Sequence, residues 1–217
     1  MSLNQIFQKI KWLTVPYLLV LCVCLVIKFL FTREQIYFTV NGFNNPYIDF
    51  AAPFVTDLGN GWTAVAIAAI LTLFSYRKAL IVAIVFAVTS LSAQAVKFIF
   101  DAPRPKLYFK EQLSRIHFVK AVEILSYHSF PSGHTVTAFA LAVVFTYWSK
   151  NRAWGPVFLV VAMCVGYSRM YLSEHFFEDV VPGSVIGFVL TVFLLYWVDN
   201  RAFIQSPKWQ KGLLKNN

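Results

Sequence analysis

Six apolar stretches, roughly 12–31, 61–76, 79–100, 134–149, 154–171 and 180–198, run through this chain of 217 residues and govern what it can fold into. About 20 predominantly apolar residues are needed for a helix to cross a bilayer. In that medium a helix satisfies every backbone N–H and C=O with its own hydrogen bonds. Most of the stretches approach the required length, and the second and fourth lie near its lower limit. Trp12, Trp62, Trp148, Trp154 and Trp197 fall at or near their ends, where an interfacial aromatic belt forms. Only 13% of the residues are charged, against about a quarter in an ordinary soluble domain. The pattern predicts an all-α integral membrane protein. It is read as one six-helix bundle over residues 1–217, with short interfacial helices in the outer loops.

The first apolar run lacks a small-residue cleavage site and exceeds a signal-peptide core, so it reads as retained. Cys22, Cys24 and Cys164 sit inside apolar runs, in neither a disulfide framework nor a metal-binding spacing. No internal repeat and no low-complexity linker divides the chain.

Six spans put both termini on one side of the membrane. That side carries ten cations and one acid, Asp199, while the other carries nine of each, so the whole net charge of +9 belongs to the terminal side. The raw Lys/Arg counts nearly tie, but every short loop on the terminal side is basic. The termini are therefore placed in the cytoplasm, with the polar clusters described next opening on the outer face. No basic stripe interleaves with exposed aromatics, which argues against nucleic acid as a partner.

Two long connections lie on the outer side. Residues 32–60 contain the turn signals Asn41-Gly42 and Asn44-Asn45-Pro46, then room for a short interfacial helix before Gly59. Within 106–130, the roughly three-residue spacing of Leu113, Ile116, Val119, Val122 and Leu125 suggests a segment lying along the membrane with one apolar face.

Three polar clusters interrupt the oily chain, each beside an apolar stretch where an idle charge is costly. In the first, Lys97 falls near the outer end of the third stretch, and Arg104 lies between Pro103 and Pro105 on a turn that cannot be helical. A planar guanidinium on a stiff turn suits two phosphate oxygens at once. The second, Pro131-Ser132-Gly133-His134, immediately precedes the fourth stretch. Ser132 reads as an N-cap, the free N–H groups of the helix start form an anion site, and Gly133 lets an anion approach closely. His134 stands at the rim, placed to protonate a leaving oxygen. In the third, Ser168 and Arg169 are followed by His175 and Asp179, which share a face if the stretch is helical. Asp179 then orients the ring for nucleophilic attack, and Arg169 neutralises oxyanion charge. The residues alone do not decide between the two histidines.

Taken together, the clusters resemble the three signatures of the type 2 phosphatidic acid phosphatase superfamily, the lipid phosphate phosphatases. Lys97, Arg104 and Pro105 match the first, Pro131 to His134 the second, and Ser168, Arg169, His175 and Asp179 the third. The resemblance covers about residues 50–195 and implies specific roles. His175 is the nucleophile that forms a phosphohistidine, Asp179 its orienting carboxylate and His134 the general acid. Lys97, Arg104, Ser132, Gly133 and Arg169 hold the phosphate oxygens. No cofactor and no metal is implied. Glu174 and Glu178 flank His175 and either face solvent or tune headgroup selection. His117 and His128 match no signature and are expected to be loop residues without a catalytic role.

The expected activity is hydrolysis of a membrane lipid phosphate or pyrophosphate at the outer face. Undecaprenyl pyrophosphate ranks first, because recycling that carrier needs an outward-facing site. Lipid A 1-phosphate follows, then phosphatidylglycerophosphate and phosphatidic acid. A six-span anion or lipid transporter is the rival of another class, and the His175/Asp179 pair beside Pro-Ser-Gly-His is the feature transport would not require. Vanadate haloperoxidases share the signatures but are soluble.

Overall fold

Residues 1–120 and 122–214 are described by the computed structural model. Their regular structure is helical: α1 (Leu3–Leu30), α2 (Arg33–Gly42), α3 (Pro46–Asp57), α4 (Gly61–Thr72), α5 (Tyr76–Phe100), α6 (Pro105–Tyr108), α7 (Gly133–Trp148), α8 (Trp154–Tyr171), α9 (Phe177–Asp199), α10 (Ala202–Gln205) and α11 (Pro207–Gln210). Local signals set many of the starts. Ser2 with Gln5 and Thr32 with Gln35 form reciprocal capping boxes at α1 and α2. The Asn45 side chain accepts the N–H groups of Tyr47 and Ile48, with Pro46 opening α3. Asn60 and Ser75 cap α4 and α5 in the same way.

Each of the six apolar stretches is a helix. The lengths and apolarity needed to cross a membrane are met by α1, α5 and α9, and also by the pair α3–α4, which is bent by 52°. The chain is a multi-pass membrane protein; among the described residues, length and apolarity alone single out three such helices, or four counting the bent pair. α7 is apolar but only 16 residues long, and α8 ends in the polar Ser168-Arg169 pair.

α7 forms the centre. Its residues from Thr135 to Val144 are all buried, as expected of a helix apolar on every side. α1 buries only Ile6, Ile10, Leu13 and Tyr17 and presents Leu18, Leu19, Val23, Leu25 and Val26 outward, a face suited to lipid. Glycines let the helices around α7 approach closely. A Cβ on Gly187 of α9 would lie 2.3 Å from the Val136 carbonyl oxygen, and one on Gly183 would lie 2.9 Å from that of Ser132. This contact brings the start of α9 against the start of α7, where Ser132 N–H donates to the Asp179 carbonyl at 3.0 Å.

The outer connections differ from expectation in one respect. Residues 32–60 form two helices, α2 and α3. Residues 106–130, however, contain only α6 and a single 3-10 turn at Leu113–Arg115 instead of a helix with one apolar face. Ile116 and Val119 are buried while Leu113 and Leu125 are exposed. Tertiary bonds take over from helical ones here. Asn41 clasps both the N–H and the carbonyl of His117, and Arg104 and Ser129 N–H groups donate to Ser126 and Ala102 carbonyls. Ala121 of that stretch lies outside the described residues.

Candidate active site

Lys97 occupies the last turn of α5, which closes on Asp101 in the left-handed region (φ 36°). That reversal sends the chain into the Arg104 turn. Arg104 is extended (φ −82°, ψ 166°) immediately before Pro105, as a residue ahead of proline prefers. Its side chain is buried, with Nε donating to the Tyr127 carbonyl at 2.9 Å. Lys97 Nζ donates to the His128 carbonyl at 2.9 Å, and the His128 ring lies 3.1 Å from Asp101. Residues 126–129 thus strap the two cations of the first cluster together. Lys97 is not a bare membrane anchor.

Ser132 holds the N-cap position of α7, but its hydroxyl makes no capping bond and instead accepts from Thr135 Oγ1 at 2.9 Å. The expected side-chain cap is absent, and the first N–H groups of α7 stay available for an anion. A Cβ on Gly133 would meet nothing within 4 Å, so open space lies in front of that helix start.

Arg169 sits in the last turn of α8. Nη1 donates to Thr56 Oγ1 at 2.9 Å, Nη2 lies 3.3 Å from Glu174 Oε2, and Nε is buried without any hydrogen-bond partner. An orphaned guanidinium N–H is costly and marks a place for an acceptor. Ser168 turns away, its hydroxyl donating to the Val165 carbonyl at 2.7 Å.

His175 lies in the connection 172–176 and not on a helix with Asp179, because α9 begins at Phe177. The geometry of the pair is therefore set by the helix start. Asp179 Oδ2 accepts the Phe176 N–H at 2.7 Å, which pins the carboxylate at the first turn, 3.5 Å from His175 Nδ1. Ser129 stands between them. Its hydroxyl donates to Asp179 Oδ2 at 2.5 Å and lies 3.5 Å from the same ring nitrogen. With Nδ1 on this side, Nε2 is the atom free to react. Burial, first, and then the positive charges of Arg104, Arg169 and Lys97 push the ring well below the ordinary 6.5. Both effects favour the neutral ring.

Lys97, Arg104, Gly133, His134, Arg169 and His175 line one cavity of about 610 Å³. Ser132 and Asp179 stand behind its wall, bonded to each other through the backbone. The two flanking acids are neither solvent-facing nor alike. Glu174 lines the cavity and pairs with Arg104 and Arg169. Glu178 points away and accepts from Lys28 at 2.5 Å and Arg33 at 3.3 Å, tying α9 to α1 and α2. Thr56 and Ser129 belong to the site as well. Nothing in the sequence marks either one, since a hydroxyl has no periodicity or spacing of its own and its use depends on what packs against it. His117 contacts Asp49 at 3.0 Å, outside the cavity.

The chain belongs to the PAP2 superfamily, whose family profile matches residues 78–203. It is 37% identical over 90 residues to a lipid A 1-phosphatase of Porphyromonas gingivalis; that match covers 41% of this chain but only 20% of the relative's length. Among solved structures it resembles Aquifex aeolicus LpxE, with a TM-score of 0.66 and 24% identity over 75% of this chain and 94% of the other. It also resembles a PAP2-type phosphatidylglycerolphosphate phosphatase from Bacillus subtilis, with a TM-score of 0.63 and 24% identity over 91% and 99% of the two chains. At that identity, the structural likeness speaks for the fold.

Proposed function

We propose that the chain is an integral-membrane lipid phosphatase that hydrolyses a lipid phosphate or pyrophosphate through a phosphohistidine on His175. The observation that carries the reading is the convergence of three cations and two histidines on one cavity, with the Arg169 Nε lacking an acceptor. Phosphoryl transfer asks the protein mainly for positioning and charge neutralisation, and Lys97, Arg104, Arg169 and the start of α7 supply both.

In this reading His175 Nε2 attacks the terminal phosphorus, and the bond from that phosphorus to the leaving oxygen breaks, the lipid oxygen of a monophosphate or the bridging oxygen of a pyrophosphate. His134 gives a proton to that departing oxygen. Water then attacks the phosphohistidine, the P–N bond breaks, and His134 takes the water's proton as inorganic phosphate leaves. Asp179 stabilises the charge that develops on the His175 ring, as in other histidine–carboxylate pairs.

The substrate ranked first is undecaprenyl pyrophosphate, met on the outer face of a bacterial inner membrane with both termini cytoplasmic. Lipid A 1-phosphate follows, and the similarity to a lipid A 1-phosphatase supports it. Purified protein should release phosphate from at least one member of a panel of these lipids, and should do so after exhaustive chelation. No release from any of them would refute the activity. Loss on chelation with recovery on adding magnesium or zinc would refute the metal-free mechanism. For the sidedness, a cysteine placed in 106–130 should react with an impermeant thiol reagent in intact cells, and one near Lys208 only after permeabilisation. The opposite pattern would move the site to the cytoplasm and displace undecaprenyl pyrophosphate from first rank.

A further inference from the structure

Glu174 immediately precedes the proposed nucleophile, and its side chain is only 4% exposed. Its Oε2 accepts from Arg104 Nη1 and lies 3.3 Å from Arg169 Nη2. The backbone holds the residue in place at several points. Glu174 and His175 N–H both donate to the Arg169 carbonyl at 3.1 Å, and the Glu174 carbonyl accepts from Arg104 Nη1 at 3.3 Å. Ser173 before it adopts the left-handed region (φ 58°), its hydroxyl held by Tyr37 at 2.9 Å and Asn41 at 3.3 Å. A non-glycine residue in that region is held there by its surroundings. The turn therefore aims a carboxylate at the two guanidinium groups that the phosphate also needs. One N–H cannot donate fully to both a carboxylate oxygen and a phosphate oxygen.

We propose that Glu174 is a specificity-determining residue: its carboxylate competes with phosphate for Arg104 and Arg169, so free inorganic phosphate binds weakly while a phosphate held at the membrane surface on a lipid wins. The inference rests on the phosphatase reading above and assigns one more residue to the same site. Anchoring a ligand near its site replaces bulk concentration by a far higher effective one. A competing internal anion weakens both by the same factor, and only the tethered phosphate, at its high effective concentration, still fills the site. The same competition also helps expel inorganic phosphate after the phosphohistidine is hydrolysed. A purely structural Glu174 would act in the opposite direction, by holding the guanidinium groups ready for phosphate.

The two roles predict opposite signs. Inhibition of lipid hydrolysis by inorganic phosphate and by orthovanadate would be measured for wild type, Glu174→Gln and Glu174→Asp, together with KM and kcat. Removing one charge-assisted competitor should tighten both inhibition constants on the order of tenfold in Glu174→Gln. KM for the lipid should fall, and kcat should fall with it as phosphate release slows. Glu174→Asp, whose shorter carboxylate reaches the guanidinium groups less well, should tighten them by a smaller factor. It decides the sign if the Gln variant does not survive purification. Unchanged or weakened inhibition in these variants, with wild type still active and inhibited by vanadate, would overturn the role of Glu174 alone. A wild-type protein that neither releases phosphate nor responds to vanadate would overturn the phosphatase reading itself.

Discussion

At opposite ends of α9, two buried carboxylates face arginines, and they serve different ends. Asp199, at the C-terminal end, accepts from Arg77 Nη2 at 2.6 Å and from the Tyr147 hydroxyl, while Gln205 donates to its carbonyl at 2.5 Å. One acid meets one cation and one phenol, and the group is closed. Glu174, just before the N-terminal end, meets two guanidinium groups beside a third cation, in a cavity where Arg169 Nε has no acceptor. The first arrangement is a lock between helices; the second sets two guanidinium groups, one with an N–H left without an acceptor, against open space. A buried ion pair by itself says little about function. What distinguishes a site is the donor left without a partner and the room to place a ligand against it.

Substitutions at the two ends should separate these roles. The largest effect is expected from His175→Ala, which should lower kcat by at least about 10³-fold while leaving thermal unfolding in detergent nearly unchanged. Substantial phosphate release by that folded variant would remove His175 as the nucleophile. Asp199→Ala should do the reverse. Leaving Arg77 and Tyr147 without their acceptor should cost roughly 2 kcal/mol of stability, with kcat per folded molecule unchanged. An Asp199 variant with normal stability and lost turnover would break the contrast between lock and site. The smallest effect is expected at Ser129, whose hydroxyl touches both Asp179 and His175. Ser129→Ala should lower kcat on the order of tenfold with KM nearly constant, since it loosens the carboxylate without touching a phosphate-binding group. A change in KM alone would place Ser129 in binding rather than in positioning.

The helices themselves were legible because their causes are local. Apolar runs long enough for lipid specify helical segments without reference to anything distant; the caps at Ser2, Thr32, Asn60 and Ser75 appear only in the structure. The three clusters were legible for a related reason: charge and histidine stand out against an apolar background, and their spacings within each cluster are short. Residues 106–130 were misread because a three-residue apolar spacing looks the same whether its side chains line a helix or an irregular strap. The strap prevailed through bonds with Asn41, Ala102 and Arg104, which lie outside the segment.

By itself, then, the sequence determined the helical membrane class and the set of charged and imidazole groups near the helix ends, both of which follow from short-range composition. Only the tertiary structure decided which groups meet. Close packing at Gly183 and Gly187 brings α9 against α7, the left-handed turn at Ser173 sends Glu174 inward rather than to solvent, and Ser129 arrives beside Asp179 from 50 residues away. The physical reason is that a carboxylate or a hydroxyl carries no information about its partner. Its pairing is settled by the geometry of packed helices and the cost of leaving a buried polar group unmet.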